Sequence, residues 1–270
     1  MTTTEIETTV GEDGVAVMTL KQRTMGPDFF AHFGEQLAVL EPDEAVRALV
    51  IRGPEPKVFS YGLDLPKAFG KWGELFRGSA TAGPRHRLLT LVKELQAPFE
   101  RLFRFRVPTI CALHGHCIGG GLDLASACDI RLASRDASIS LRETRIAIVA
   151  DLGSLQRLPP IIGQGRTREL AFTGRDVSAT EALAMNLVNA VYETPDELFA
   201  AAHAMARQIA DNAPRTVEGV KIALNRPLLG AIADGLDHVA TWNSAFLASE
   251  DLGEAVAAFA ARRPARYKGR

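Results

Sequence analysis

His114-Gly115-His116-Cys117-Ile118-Gly119-Gly120-Gly121-Leu122-Asp123-Leu124-Ala125-Ser126-Ala127-Cys128-Asp129 carries a strand into three consecutive glycines and then straight into helical spacing. Glycines at such a junction let backbone pass close to a ligand and expose N–H groups at a helix start, where negative charge is favoured. Tight packing of strand on helix is the purely structural account of the same three residues. The spacing is neither a dinucleotide fingerprint nor, at Gly163-Gln164-Gly165-Arg166-Thr167, a nucleotide P-loop. Upstream, Thr109–Leu113 reads as a buried strand, and before it Leu88, Leu91, Val92, Leu95, Phe99, Leu102 and Phe103 recur at helical spacing until Pro108. Val15–Leu20 and Val46–Ile51 read as two more strands, with a helix from Phe29 to Leu40 between them. Residues 70–84, GKWGELFRGSATAGP, are glycine-rich and aperiodic, which predicts a mobile loop. Ser178-x-x-Glu181 and Thr194-Pro195-Asp196-Glu197 are helix-start signals. From about residue 196 the pattern is nearly all helical. The expectation is an α/β chain with a core over residues 1–195 and a helical region over 196–270.

Composition narrows the function by exclusion. In 270 residues, 31 Lys and Arg against 32 Asp and Glu leave a net charge of −1, without the basic surplus of a nucleic-acid binder. No apolar run approaches the roughly 18 residues of a membrane span, and MTTTEIETTV has no basic or apolar leader pattern. Cys111, Cys117 and Cys128 are odd in number and sit in apolar company, which fits free thiols in a reducing compartment. A cytoplasmic protein with no nucleic-acid or membrane partner is the resulting expectation. Cys111, His114, His116 and Cys117 lack the paired-ligand spacing of a metal site, so no metal is expected.

Three acids stand in apolar surroundings: Asp123 after the glycines, Glu143 in SISLRETRIAIV, and Asp151 in IAIVADLGSL. Buried acids are rare unless paired or functional. Each also has a bland reading. Asp123 suits the first turn of a helix, Glu143 has Arg142 and Arg145 beside it, and Asp151 suits a cap for the segment at Leu152. A second turn, Val58-Phe59-Ser60-Tyr61-Gly62-Leu63-Asp64, presents another run of backbone N–H groups. Two such donors converging on one oxygen would form an oxyanion hole.

Phe59-Ser60-x-Gly62-x-Asp64-Leu65, His114-Gly115-x-x-x-Gly119-Gly120-Gly121-x-Asp123-Leu124 and Ala127-Cys128-Asp129-Ile130-Arg131 together resemble the crotonase (enoyl-CoA hydratase/isomerase) superfamily. Leu155–Gly163 and Phe246-x-x-Ser249-x-Asp251-x-x-Glu254-Ala255 resemble it too, so the likeness spans nearly the whole chain. It implies a spiral of ββα units, an acyl-CoA-binding core over 1–195, followed by C-terminal helices that build trimers, often stacked as hexamers. It implies an acyl-CoA thioester substrate, with CoA as part of the substrate and no separate cofactor. The enolate oxygen would be held by the N–H groups of Leu63 and Gly120. Ser60, Tyr61, Gly62, Leu63, Asp64, Gly119 and Gly120 would contact the substrate. Tyr61 departs from the small residue usual there and would narrow the entrance. Family hydratases carry acids at the positions of Asp123 and Glu143, usually Glu at the first, but Gly where this chain has Asp151. The extra acid, together with Val239-Ala240-Thr241-Trp242-Asn243, resembles the Δ3,5-Δ2,4-dienoyl-CoA isomerase branch. In that reading Glu143 and Asp151 exchange protons with opposite ends of a diene, and Asp123 tunes them. The rival is 2-enoyl-CoA hydration by Asp123 and Glu143. A non-catalytic CoA- or RNA-binding member would rest on the basic tail Arg262–Arg270.

Overall fold

The computed structural model describes residues 5–54, 58–76 and 81–270. Among these residues, ten strands form two sheets. The larger contains β1 (Ile6–Val10), β2 (Val15–Leu20), β3 (Ala48–Arg52), β5 (Thr109–Leu113), β7 (Ile130–Ser134) and β10 (Ala190–Tyr192), paired in that order. Only β1–β2 is antiparallel in it. The smaller runs β4 (Val58–Ser60), β6 (His116–Ile118), β8 (Ser138–Ser140) and β9 (Asp176–Ser178). Chain order shows the repeat: β3, β5 and β7 in the large sheet are each followed at once by β4, β6 and β8 in the small one. A helical segment then returns the chain, so three ββα turns wind into a spiral.

The helices are α1 (Phe29–Leu40), α2 (Leu65–Phe76), α3 (Ala82–Phe103), α4 (Gly120–Ala127), α5 (Ser154–Thr173) and α6 (Ala179–Ala184). The C-terminal set is α7 (Pro195–Ala210), α8 (Pro214–Asn225), α9 (Leu229–Phe246) and α10 (Glu250–Ala260). A short 3₁₀ turn occupies Glu143–Ile146.

The parallel strands are buried on both faces, which explains their unbroken apolar runs. Alternate residues serve different cores. Ala48, Val50, Ile110, Ala112 and Leu132 pack against Leu198, Ala202 and Ala206 of α7. Leu49, Ile51, Cys111, Leu113 and Ala133 face the main core, where Phe29, Phe30, Phe33 and Phe99 join α1 to α3. Both helix-start signals are used: Ser178 Oγ accepts from Glu181 N–H, and Thr194 Oγ accepts from Glu197 N–H, each at 3.2 Å. The three cysteines are buried and free. No helix of the described residues is long and apolar enough to cross a membrane.

The loop expected over residues 70–84 is corrected. Residues 65–76 form α2, and α3 begins at Ala82; residues 77–80 lie outside the described residues. Gly70 and Gly73 dilute the periodicity of α2, but both face open space, while Phe69, Leu75 and Phe76 pack inward beside Leu88 and Val92 of α3. The basic tail is also tied down. Arg263 pairs with Glu254 at 2.6 Å and Arg270 with Glu250 at 3.1 Å, while Lys268 N–H and Gly269 N–H donate to Asp251.

Candidate active site

Two turns from different repeats meet at the end of the small sheet. The first leaves β4. Its Gly62 C=O accepts from Met25 N–H at 2.8 Å, and Asp64 N–H donates to Met25 C=O at 2.9 Å. In that parallel bridge the intervening Leu63 N–H points away from Met25. The second turn leaves β6, and Gly120, as the first residue of α4, has an N–H without an intrahelical acceptor.

The glycines let these turns touch. Gly62 has φ +78°, and a β-carbon there would lie 2.7 Å from Ile118 O and 2.8 Å from Gly120 N. A β-carbon on Gly120 would lie 3.6 Å from Leu63 N. Gly121 backs onto Ser60, whose Oγ accepts from Gly62 N–H at 3.0 Å. The two turns thereby pack against each other with Leu63 N and Gly120 N on neighbouring backbone.

These turns open into a cavity of about 640 Å³, and all three apolar-context acids line it. Asp123 lies in the first turn of α4 and is 1% exposed; its Oδ1 accepts from Ser154 N–H at 2.7 Å, at the start of α5. Burial pushes its carboxyl up to about 6, opposed by that bond and by Arg157. Glu143 begins the 3₁₀ turn. Its Oε1 would lie 3.0 Å from a β-carbon on Gly119, so its carboxyl rests on the glycine turn. Its Oε2 is enclosed with no hydrogen-bond partner among the described residues. Burial, then the charge of Asp123, and less strongly that of Asp151, raise its pKa well above the ordinary value. Asp151 precedes α5, and its Oδ2 accepts from Asn243 Nδ2 at 2.7 Å. Burial pushes it up to about 7, against the Asn243 bond and with help from Asp123.

Neither Glu143 nor Asp151 takes its bland role. Arg142 bonds Asp176 rather than Glu143, the Arg145 side chain lies against Gly174, and Gly153, not Asp151, caps α5. The three acids therefore share a largely apolar cavity, and burial raises the pKa of each.

The enoyl-CoA hydratase/isomerase family profile matches residues 11–270. The chain belongs to this family. Among its relatives, the mitochondrial Δ(3,5)-Δ(2,4)-dienoyl-CoA isomerase of Dictyostelium discoideum is 40% identical over 248 residues, covering 91% of this chain and 83% of that protein. The peroxisomal enzyme of the same name from Arabidopsis thaliana is 40% identical over 240 residues, covering 89% and 86%. The crystal structure of an enoyl-CoA hydratase/isomerase from Pseudoalteromonas atlantica superposes with a TM-score of 0.83 at 23% identity, covering 98% of this chain and all of that one, which establishes the crotonase fold. This is an enzyme of the hydratase/isomerase family acting on acyl-CoA thioesters.

The relatives overturn the cytoplasmic expectation, since they are mitochondrial and peroxisomal proteins. Free buried thiols report a reducing surrounding rather than a particular compartment, so the cysteines could not have located the enzyme.

Other expected site residues of this hydratase/isomerase have structural duties as well. Asp64 caps α2: its Oδ1 accepts from Lys67 N–H at 3.1 Å and its Oδ2 from the Thr24 hydroxyl at 2.9 Å. Burial opposes ionisation there, but these donors and the Lys67 ammonium outweigh it and hold the carboxyl below its usual range. Tyr61 lines the cavity, half-exposed, with its ring 5.4 Å from that of His116. Asn243, the last residue of the Val239–Asn243 stretch, and Gln96, which had no signal in its local sequence, hold Asp151 from other helices.

Proposed function

We propose that this enzyme converts 3,5-dienoyl-CoA to 2,4-dienoyl-CoA. The observation that carries the reading is the placement of Asp151 in the same cavity as Glu143 and both glycine turns. The thioester oxygen accepts from Leu63 N–H and Gly120 N–H. One of Glu143 and Asp151 takes a proton from C2, and the electron pair spreads along the diene onto the held oxygen. The other delivers a proton to C6, which leaves double bonds at C2 and C4. The first carboxylate ends protonated and the second ionised, so the pair resets through solvent before the next turnover. A largely apolar cavity strengthens the two N–H hydrogen bonds to the oxygen that carries the dienolate charge.

Asp123 supports isomerisation over hydration. Its Oδ1 is taken by Ser154 N–H, and it is one carbon shorter than Glu, so it is poorly disposed to hold and activate a water. Its charge instead couples to the other two acids. Absorbance assays with 3,5-dienoyl-CoA and 2-enoyl-CoA as separate substrates test the reading. The conjugated 2,4-dienoyl signal grows from the first, with little hydration of the second. Efficient hydration without diene migration would favour the hydratase.

The distal acyl chain has a place to go. An annex of about 320 Å³ with no polar side chain in its lining shares Leu65, Pro66, Ile146, Ile148 and Phe259 with the main cavity. Each methylene buried there is worth about 0.8 kcal/mol, roughly fourfold in kcat/KM. Val256→Trp, which fills the annex from α10, is expected to cost long-chain dienoyl-CoA about 10-fold or more while sparing short chains. A chain-length series on both proteins checks this.

We further propose that the helical region 196–270 assembles the enzyme as a homotrimer, alone or stacked as a hexamer. On α8, Val220 and Leu224, one turn apart, are exposed and line, with Val217, a groove of about 680 Å³ between α8 and the body of the fold. An apolar face of this kind marks an interaction surface. Light scattering after size exclusion should give three or six copies; a monomer at micromolar concentration would contradict the assembly.

A further inference from the structure

Asp151 enters the cavity from irregular backbone between the 3₁₀ turn and α5. Such a segment does not by itself hold a side chain in one orientation, yet proton transfer needs a carboxyl oxygen held near its target. Two buried amides from elsewhere in the fold supply the rigidity. Asn243 of α9 is 1% exposed, and its Nδ2 donates to Asp151 Oδ2 at 2.7 Å and to Val149 O at 2.9 Å. Gln96 of α3 is 6% exposed, and its Nε2 donates to the main-chain O of Asp151 at 2.7 Å and to Leu236 O at 3.2 Å. Backbone and side chain of one acid are thus gripped from two helices that pack on each other.

We propose that Asn243 is the positioning residue of the proton relay: by occupying Oδ2 of Asp151 it makes Oδ1 the oxygen that exchanges a proton with substrate. This rests on the relay described above. An N–H donor at Oδ2 selects the carbonyl form of that oxygen, so a proton on the carboxyl resides on Oδ1. In an ionised Asp151, Oδ2 is likewise the oxygen engaged by the Asn243 side chain, which leaves Oδ1 as the oxygen without a side-chain donor. The atom is therefore the same whether Asp151 removes or delivers the proton.

Among the described residues, Asp64, Asp123, Arg142, Glu143 and Arg145 line the same cavity as Asp151, and Lys93 of α3 pairs with Asp237 of α9 at 2.8 Å. Asp123 of α4 and Glu143 of the 3₁₀ turn act on it as acids. Arg157 of α5 is directed at Asp123 and at Glu100 of α3, while the side chains that α3 and α9 bring into contact with Asp151 itself are the neutral amides Gln96 and Asn243. Asn243 thus opposes the burial that raises this carboxyl, and its removal drives the pKa higher still.

The test uses the full chain, with kcat and KM for 3,5-dienoyl-CoA followed from about pH 5 to 9. In Asn243→Leu, kcat is expected to fall about 100-fold, the scale of a misplaced reacting group, with KM little changed. The limb of the pH profile governed by Asp151 should move to higher pH. In an Asp151→Asn background, Asn243→Leu should add no further loss to the residual rate. Asn243→Asp keeps the shape of the side chain, removes the donor when ionised, and should move the same limb the same way; it carries the test if the leucine variant fails to fold. A folded variant with an unmoved limb, a matched rise in KM, or an undiminished loss in the Asp151→Asn background would overturn the proposal. Absence of diene migration in the unmodified enzyme would instead overturn the relay itself.

Discussion

Asp151→Asn is expected to cut diene migration to a small residual rate while making the protein more stable. A positioned acid or base contributes about 10²–10⁴-fold to rate, and one of two proton-transfer groups disappears. The stability effect follows from its raised pKa. A carboxyl near 3.9 in the unfolded chain and at about 7 in the fold favours folding fully below the lower value. That contribution is lost as pH rises through the folded pKa, because the buried group must then ionise. The asparagine avoids this cost and still accepts from Asn243. The thermal midpoints of the two proteins should therefore diverge between about pH 4 and 7, with the variant ahead by on the order of 2 kcal/mol above neutrality. Thermal unfolding across that range, beside the absorbance assay, checks both halves. A variant that is inactive and also less stable at pH 8 would show that Asp151 is a structural acid.

Gly62→Ala should be nearly as damaging, through backbone rather than side chain. Its φ of +78° disfavours any β-carbon, and the added atom would meet Ile118 O and Gly120 N below 3 Å. The turn that aims Leu63 N–H must move, and it pushes on Gly120 as it does so. Loss of one donor to a developing oxyanion costs about 10²–10³ in kcat, so a fall of that size with the fold retained is expected. Steady-state kinetics with circular dichroism as the folding control measure it. A variant with unimpaired kcat would remove the glycine turns from the chemistry.

Much of this site is legible in the amino-acid sequence. The glycine run, the acids at 123, 143 and 151, and the first turn at 60–64 all stand close to recognisable local patterns, and the fold brings them into one chamber. The illegible part lies in long-range contacts. Asn243 and Gln96 reach Asp151 across 92 and 55 positions of sequence, and an isolated amide in a helix gives no hint of its acceptor. The small sheet escapes sequence reading because β4, β6, β8 and β9 are three residues each, too short for alternation to declare itself. Helix α2 is hidden by Gly70 and Gly73, although its inward face is apolar.

The central claim is that two carboxyl groups, not one, move the protons. A single turnover of 3,5-dienoyl-CoA in deuterated water, with enzyme in excess and the product examined by NMR, addresses it directly. The relay predicts one deuterium at C6 of the 2,4-dienoyl product, delivered by a group already exchanged with solvent. A C6 position carrying the proton removed from C2 would mean that one base shuttles it, and would contradict the account.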